Sequence, residues 1–246
     1  MAETFGNIFL TAEWRYLAML NYEIEPAVLR PLVPRGTELD AWNGRTFVSM
    51  VGFLFENTRV MGLRIPFHQN FEEINLRFYV RRKADDGWRR GVVFVKEIVP
   101  RAAIALVARW VYGENYVSLP TGNVICRAQE RGENVESAKY YWTFQERAQF
   151  LELATRGAPA PFGADSEEEF ITQHYWGYSS RRDGVTVEYR VDHPPWRIWQ
   201  SASARLDCDV ENLYGRQFAN FLALKASSAF LAEGSPVTVY NGRRID

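Results

Sequence analysis

The run Phe71-Glu72-Glu73-Ile74-Asn75-Leu76-Arg77-Phe78-Tyr79-Val80 constrains the fold of this chain more than any other stretch. Successive side chains of an extended strand point to opposite faces of a sheet. Ile74, Leu76, Phe78 and Val80 therefore share one face, and Glu73, Asn75, Arg77 and Tyr79 share the other. The polar face is either wet, as in a one-sided antiparallel sheet, or it lines the inside of a sheet closed on itself. In the closed case a carboxylate, an amide, a guanidinium and a phenol share one cavity. That set suits a small polar organic molecule, with Arg77 holding its carboxylate and Glu73 accepting or returning a proton. Glu73 and Arg77 are separated by about 13 Å along an extended strand, so they flank a ligand and do not pair with each other.

The rest of the chain reads as mainly β, with a few helices. Pro26 to Val33 is expected to be a short helix, with Pro at its first position and Pro34 and Gly36 beyond its end. Asn43-Gly44 between Leu39–Trp42 and Arg45–Phe55 is a hairpin signal. Asp85-Asp86-Gly87 turns the Glu73 strand into a returning strand, Gly91 to Ile98. With Asp86-Gly87 as the loop, Arg77 stands opposite Lys96 and Tyr79 opposite Phe94. A lysine beside an arginine in a dry lumen has its pKa lowered, which favours the nucleophilic amine; a salt bridge at the rim is the alternative role for Lys96, and a one-residue slip removes the pairing. Ala102 to Tyr112 is apolar and Ala-rich, so a buried helix is expected there, stopped by Gly113. Tyr116 to Arg131 and Ser137 to Phe144 are expected strands, and Gly157 to Gly163 a loop. Ser166 and Glu169 form a capping box for a helix ending near His174. Strands follow at Tyr175–Ser180, Val185–Asp192 and Trp196–Ala204, around an Asp183-Gly184 turn. Glu211 to Ala223 reads as helical and Val237 to Tyr240 as a last strand. No repeat or linker divides the chain, so one domain over residues 1–246 is expected.

Several function classes fall away. A formal net charge of −1 gives no basic stripe for a nucleic acid. The two cysteines, Cys126 and Cys208, support neither a disulfide framework nor a zinc site. His68, His174 and His193 show no metal-binding spacing, so no metal is expected. His174 reads as a packing residue and His193, before Pro194-Pro195, as a turn residue, whereas His68 precedes the Glu73 strand and can reach a pocket mouth. No phosphate-binding glycine loop or Gly-x-Ser-x-Gly elbow occurs, and no cofactor is implied. No apolar run has the length of a signal peptide or a membrane span, which makes the cytoplasm the default location. Tryptophan and tyrosine are abundant; core packing is their ordinary use, and an aromatic-lined cavity is the other. Lysine is scarce: positions 83, 96, 139 and 225 hold the only four candidates for amine chemistry.

The Phe71–Val80 strand resembles the signature strand of the YqjF-like family. The resemblance covers most of the chain, through Pro34-Arg35-Gly36-Thr37-Glu38-Leu39-Asp40, Gly91-Val92-Val93-Phe94, Ala108-Arg109, His174-Tyr175-Trp176-Gly177-Tyr178 and Ala232-Glu233-Gly234-Ser235. That family is similar in fold to acetoacetate decarboxylase. The resemblance implies a largely antiparallel closed β-barrel or cone with peripheral helices and a pocket inside. It also favours Glu73 as a pocket residue. Acetoacetate decarboxylase uses a lysine Schiff base with a second lysine beside it. The matching stretch here, Tyr112-Gly113-Glu114-Asn115-Tyr116-Val117, places Tyr116 and Val117 at the lysine positions. The Schiff-base mechanism is therefore not implied for this chain.

The expected site comprises Glu73 as acid/base, Arg77 as carboxylate anchor, and Asn75, Tyr79, Tyr116, His68 and Lys96 around a small organic ligand. The expected activity is an enzyme acting on a small organic acid or carbonyl compound. The alternative is a non-catalytic ligand-binding or interaction module on the same barrel. No nucleic-acid or membrane partner is expected, and homo-oligomers are left open.

Overall fold

A computed structural model of the chain describes residues 6–101, 115–128, 134–181 and 183–245. The strands are Ile8–Ile24 (β1), Glu38–Leu39 (β2), Thr46–Val60 (β3), Phe71–Ala84 (β4), Gly87–Val99 (β5), Tyr116–Ser118 (β6), Thr121–Arg127 (β7), Val135–Phe144 (β8), Arg147–Ala160 (β9), Trp176–Ser180 (β10), Thr186–Asp192 (β11), Ile198–Asp207 (β12), Ser228–Tyr240 (β13) and Arg243–Ile245 (β14). Among the described residues the helices are few and short, as at Glu167–Thr172 and Arg216–Leu222. The fold is mainly β, as the strand patterning implies.

The sheet closes on itself. Its order runs β11-β10-β5-β4-β3-β1-β13, and β13 pairs back onto β11 through Val191↔Val239 and Asp192↔Thr238. The ring is antiparallel except where β10 runs parallel to β5. A closed sheet has no free edge along its seam. Near the β5–β10 seam, the buried carboxylate of Glu188 on β11 accepts from Arg89 of β5 at 2.9 Å, Arg82 of β4 at 3.3 Å and the Tyr178 hydroxyl of β10 at 3.0 Å. Arg243 of β14 also donates to it, at 3.0 Å. A buried charge needs such satisfaction to be tolerated.

Beyond β13 the sheet continues through β12, β9, β8 and β7 and folds back over the outside of the ring. This creates two cores. Ile74, Leu76, Phe78 and Val80 face outward and are buried against Tyr140, Trp142, Leu151 and Leu153 of the covering layer. Phe47, Val51, Phe53, Phe55 and Phe71 face inward and form the second core inside the ring. The layers meet closely at Gly52, where a Cβ would lie 2.7 Å from the Tyr140 ring. Glycine at that position lets β8 lie against β3. The Tyr140 hydroxyl then donates to the Tyr16 carbonyl at 2.7 Å.

Several expectations are corrected. β4 and β5 join through Ala84↔Gly87, so Asp85-Asp86 is the loop, one residue earlier than expected. Arg77 consequently stands opposite Phe94, and Tyr79 opposite Val92. The ladder then slips by one residue at Val95, so that Leu76 pairs with Lys96 and Asn75 with Glu97. Such a β-bulge re-aims side chains: it turns Lys96 to the outer face and Glu97 to the inner one. The expected loop Gly157–Gly163 is largely strand, because β9 runs to Ala160 and pairs with β12. Gly157, at φ 72°, sits where that pairing shifts register. The Asn43-Gly44 turn forms with both residues at positive φ, but it closes a single bridge, Trp42↔Arg45; β2 ends at Leu39 and pairs with β4 instead. Helix in the 211–223 region is split at Gly215. The expected helix at Ala102–Tyr112 and its stop at Gly113 lie outside the described residues.

Candidate functional site

The inner face of the ring encloses a cavity of about 300 Å³. Alternation along β4 delivers Glu73, Asn75 and Arg77 to it, the β5 bulge adds Glu97, and β6 adds Tyr116. The side chains of the polar face are thus buried and not wet: Glu73 is 3%, Asn75 1% and Arg77 8% exposed.

Glu73 accepts two hydrogen bonds from its neighbours in the cavity. Its Oε1 accepts from Asn75 Nδ2 at 2.9 Å and its Oε2 from the Tyr116 hydroxyl at 3.3 Å. Burial pushes its carboxyl up to about 7, while those two hydrogen bonds and the Arg77 charge oppose a further rise. The upward shift brings the carboxyl's protonated form closer to neutral pH, the direction that suits a group giving and taking a proton.

Arg77 is a buried cation with no carboxylate bound to it among the described residues. Its Nη2 lies 3.8 Å from Met19 Sδ, its guanidinium carbon 6.0 Å from the Tyr79 ring, and its Nε has no hydrogen-bond partner among the described residues. Asn75 Oδ1 is likewise buried and unpartnered. Unmet donors and acceptors of this kind carry a desolvation cost that a complementary ligand removes.

The remaining expected residues divide. Tyr116 and His68 line the cavity. His68 lies on the segment between β3 and β4, its Nδ1 2.8 Å from the Pro66 carbonyl. Tyr79 does not reach the cavity; its hydroxyl is 2.6 Å from Ser49 Oγ, which donates to Asn21 Oδ1 at 2.6 Å. Lys96 is on the other side of the sheet, where its ammonium donates to the Leu213 carbonyl and burial lowers its pKa. The anticipated Arg77–Lys96 pair therefore does not exist. None of the four lysines lines the cavity: Lys83 and Lys225 are exposed, and Lys139 pairs with Glu152 at 3.2 Å.

Sequence reasoning missed Glu97, His174 and His193. His174, read as a packing residue, both packs and lines the cavity; its ring centroid lies 4.7 Å from that of Tyr79. Burial lowers its pKa to about 4, against the opposing pull of Asp40, so it is neutral. Its Nε2 is 3.5 Å from Asp40 Oδ2, long for a hydrogen bond. His193, read as a turn residue, stacks on Trp196 at 4.3 Å, and burial lowers its pKa. Among the described residues no cluster of three or more His, Cys, Asp or Glu side chains is placed to hold a metal ion. No helix of the described residues is long and apolar enough to cross a membrane.

Structural comparison places the closed strand ring among proteins of acetoacetate decarboxylase-like fold. The chain is similar to acetoacetate decarboxylase from Legionella pneumophila subsp. pneumophila str. Philadelphia 1, with a TM-score of 0.66 and 12% identity over 97% of this chain and 87% of that one. The enduracididine biosynthesis enzyme MppR, complexed with pyruvate, gives a TM-score of 0.69 at 14% identity, over 100% and 93% of the two chains. An acetoacetate decarboxylase-like enzyme from Sphingomonas wittichii RW1 gives 0.65 at 13% identity, over 98% and 94%. At these identities the likeness concerns the fold. Residues 11–236 match the family DUF2071, described as "Uncharacterized conserved protein", and the chain belongs to that family. It is 29% identical over 208 residues to the uncharacterized protein YqjF of Bacillus subtilis (strain 168), covering 83% of this chain and 81% of that protein.

Proposed function

We propose that the chain is an enzyme acting on a small organic acid or carbonyl compound by acid–base catalysis at Glu73, without an amine nucleophile. The observation that carries this reading is the pairing, in one cavity, of a carboxyl whose pKa burial raises with a buried guanidinium that has no carboxylate partner among the described residues. Arg77 binds the substrate carboxylate, where a bidentate contact also fixes orientation. Ionised Glu73 removes the proton from the carbon next to the carbonyl. The C–H electron pair moves toward the carbonyl oxygen, giving an enolate, and the neutral carboxylic acid then returns the proton. Tyr116 and Asn75 hold the carboxylate in place throughout. The binding of pyruvate by MppR supports a small carbonyl acid as the class of ligand for this fold. The absence of any lysine from the cavity lining argues for proton transfer over Schiff-base chemistry.

The test is a panel of 2-oxo and 3-oxo acids, with binding followed by calorimetry and turnover by NMR, including exchange of the carbon-bound proton with D₂O. Glu73→Gln is expected to retain binding and lose turnover by at least 100-fold. Binding without turnover of any acid by the unaltered protein would leave a non-catalytic ligand-binding module instead.

A further inference from the structure

Along β3 the cavity runs from Arg77, opposite Ser49, to an aromatic end at Phe53 and Phe55, with Glu73 opposite Phe53. There the Trp14 ring packs edge-on against Phe53 at 5.4 Å, Phe55 at 5.9 Å and Trp196 at 6.3 Å. An apolar cavity of about 150 Å³ is enough for a benzene ring, so the 300 Å³ present here holds a ring together with a short acid side chain. A three- or four-carbon acid alone would leave the aromatic end without contacts, and unfilled apolar space forgoes dispersion.

Two polar atoms in this apolar end have no partner. Trp14 Nε1 and Thr58 Oγ1 are both buried from water and make no hydrogen bond among the described residues, and both residues line the cavity. They come from neighbouring strands, β1 and β3. Trp14 pairs with Phe55 and Arg77 with Ser49, so Trp14 and Arg77 lie two strands and six residues apart. At about 4.8 Å per strand and 3.4 Å per residue, their Cα atoms are about 23 Å apart. Side chains reaching inward from both ends shorten this gap to one that an aryl ring on a short acid chain can span.

We propose that the occupant of the cavity is an aromatic carboxylic acid carrying an oxygen on the ring, at the end away from the carboxylate. This deepens the organic-acid reading of the site and rests on it. The carboxylate meets Arg77, the ring lies among Trp14, Phe53, Phe55 and Trp196, and the ring oxygen accepts from Trp14 Nε1 and bonds Thr58 Oγ1. Hydroxyl-to-donor matching of this kind discriminates more sharply than apolar contact, because the analogue lacking the oxygen leaves the buried donor unmet.

Calorimetry of the whole chain with pyruvate, 2-oxooctanoate, phenylpyruvate and 4-hydroxyphenylpyruvate tests this. The aryl acids are expected to bind at least tenfold tighter than pyruvate, and the ring hydroxyl to add a further three- to tenfold. Trp14→Phe and Thr58→Val are expected to abolish the hydroxyl preference and keep the ring preference. The ligand series in the unaltered protein decides the matter even where a variant fails to fold. Equal binding of pyruvate and the aryl acids, of 2-oxooctanoate and phenylpyruvate, or of the two aryl acids overturns the proposal and leaves the organic-acid reading standing. Binding of none of the four overturns both.

Discussion

Glu97 stands directly opposite Asn75 across the β4–β5 ladder, so the amide of the cavity floor has one carboxylate beside it on its own strand and another on the next. Asn75 donates its Nδ2 hydrogen bond to Glu73 and leaves Oδ1 unpartnered among the described residues. The hydrogen bond favours the ionised form of Glu73 against the burial that disfavours it. Asn75→Leu keeps the volume and removes the donor. The Glu73 titration is then expected to move upward by about one to two pH units. Carboxyl ¹³C NMR, or the acid limb of the turnover profile, reads the change; a downward movement would contradict the assignment.

Arg77 illustrates a conflict between stability and binding. A buried guanidinium with no ion pair among the described residues costs desolvation energy. Arg77→Met is expected to raise thermal stability by about 1 kcal/mol or more, while weakening binding of carboxylate ligands about 10- to 100-fold. Denaturant melts and calorimetry on the same variant check both halves. A variant that loses stability and keeps affinity would show that Arg77 is a structural cation and no anchor.

The polar face of β4 was legible in the sequence because strand alternation is local: Glu73, Asn75 and Arg77 follow from a period of two. Which face was wet was not local, because it depends on β13 closing onto β11 across the whole chain. Tyr79 shares the face and still falls short of the cavity, since Ser49 on the neighbouring strand β3, itself bonded to Asn21 of β1, captures its hydroxyl. Glu97 and Lys96 exchanged places for a different reason. The loop lies one residue earlier than turn chemistry suggested, and the bulge at Val95 then inverts the faces beyond it. Nothing in Val93-Phe94-Val95-Lys96-Glu97 announces a bulge, and a slip of one residue reverses every side chain. His193 reads as a turn residue beside two prolines. Only the packed structure shows its ring stacked on Trp196 at the cavity wall.

The inversion makes Lys96 a clean control. Its ammonium caps the Leu213 carbonyl on the outer side of the sheet. Lys96→Met is expected to leave ligand affinity and turnover within twofold of the unaltered protein, with a stability change of about 1 kcal/mol at most. Borohydride reduction in the presence of a keto acid is expected to give no covalent adduct in either protein by mass spectrometry. An adduct on Lys96 would place the lysine on the cavity side and undo the register described here.

Glu73 and His174 line one cavity and titrate in opposite senses. The Glu73 carboxyl is raised from 4.5 to about 7 in the folded protein, chiefly by burial. Between those values the native state holds a proton that the unfolded chain has released, so this group makes stability fall as pH rises. His174 is lowered from 6.5 to about 4, again chiefly by burial. Between those values the unfolded chain holds the extra proton, so this group makes stability rise with pH. From pH 4.5 to 6.5 the two slopes oppose each other, and their sum is expected to be small. Glu73→Gln unmasks the histidine slope, and its stability is expected to climb by on the order of 2–3 kcal/mol across that window. His174→Gln unmasks the carboxyl slope, and its stability is expected to fall by a similar amount. Urea melts at pH 4.5, 5.5 and 6.5 distinguish the pair. Two variants with parallel profiles would mean that burial in this cavity does not set the charge state of either group.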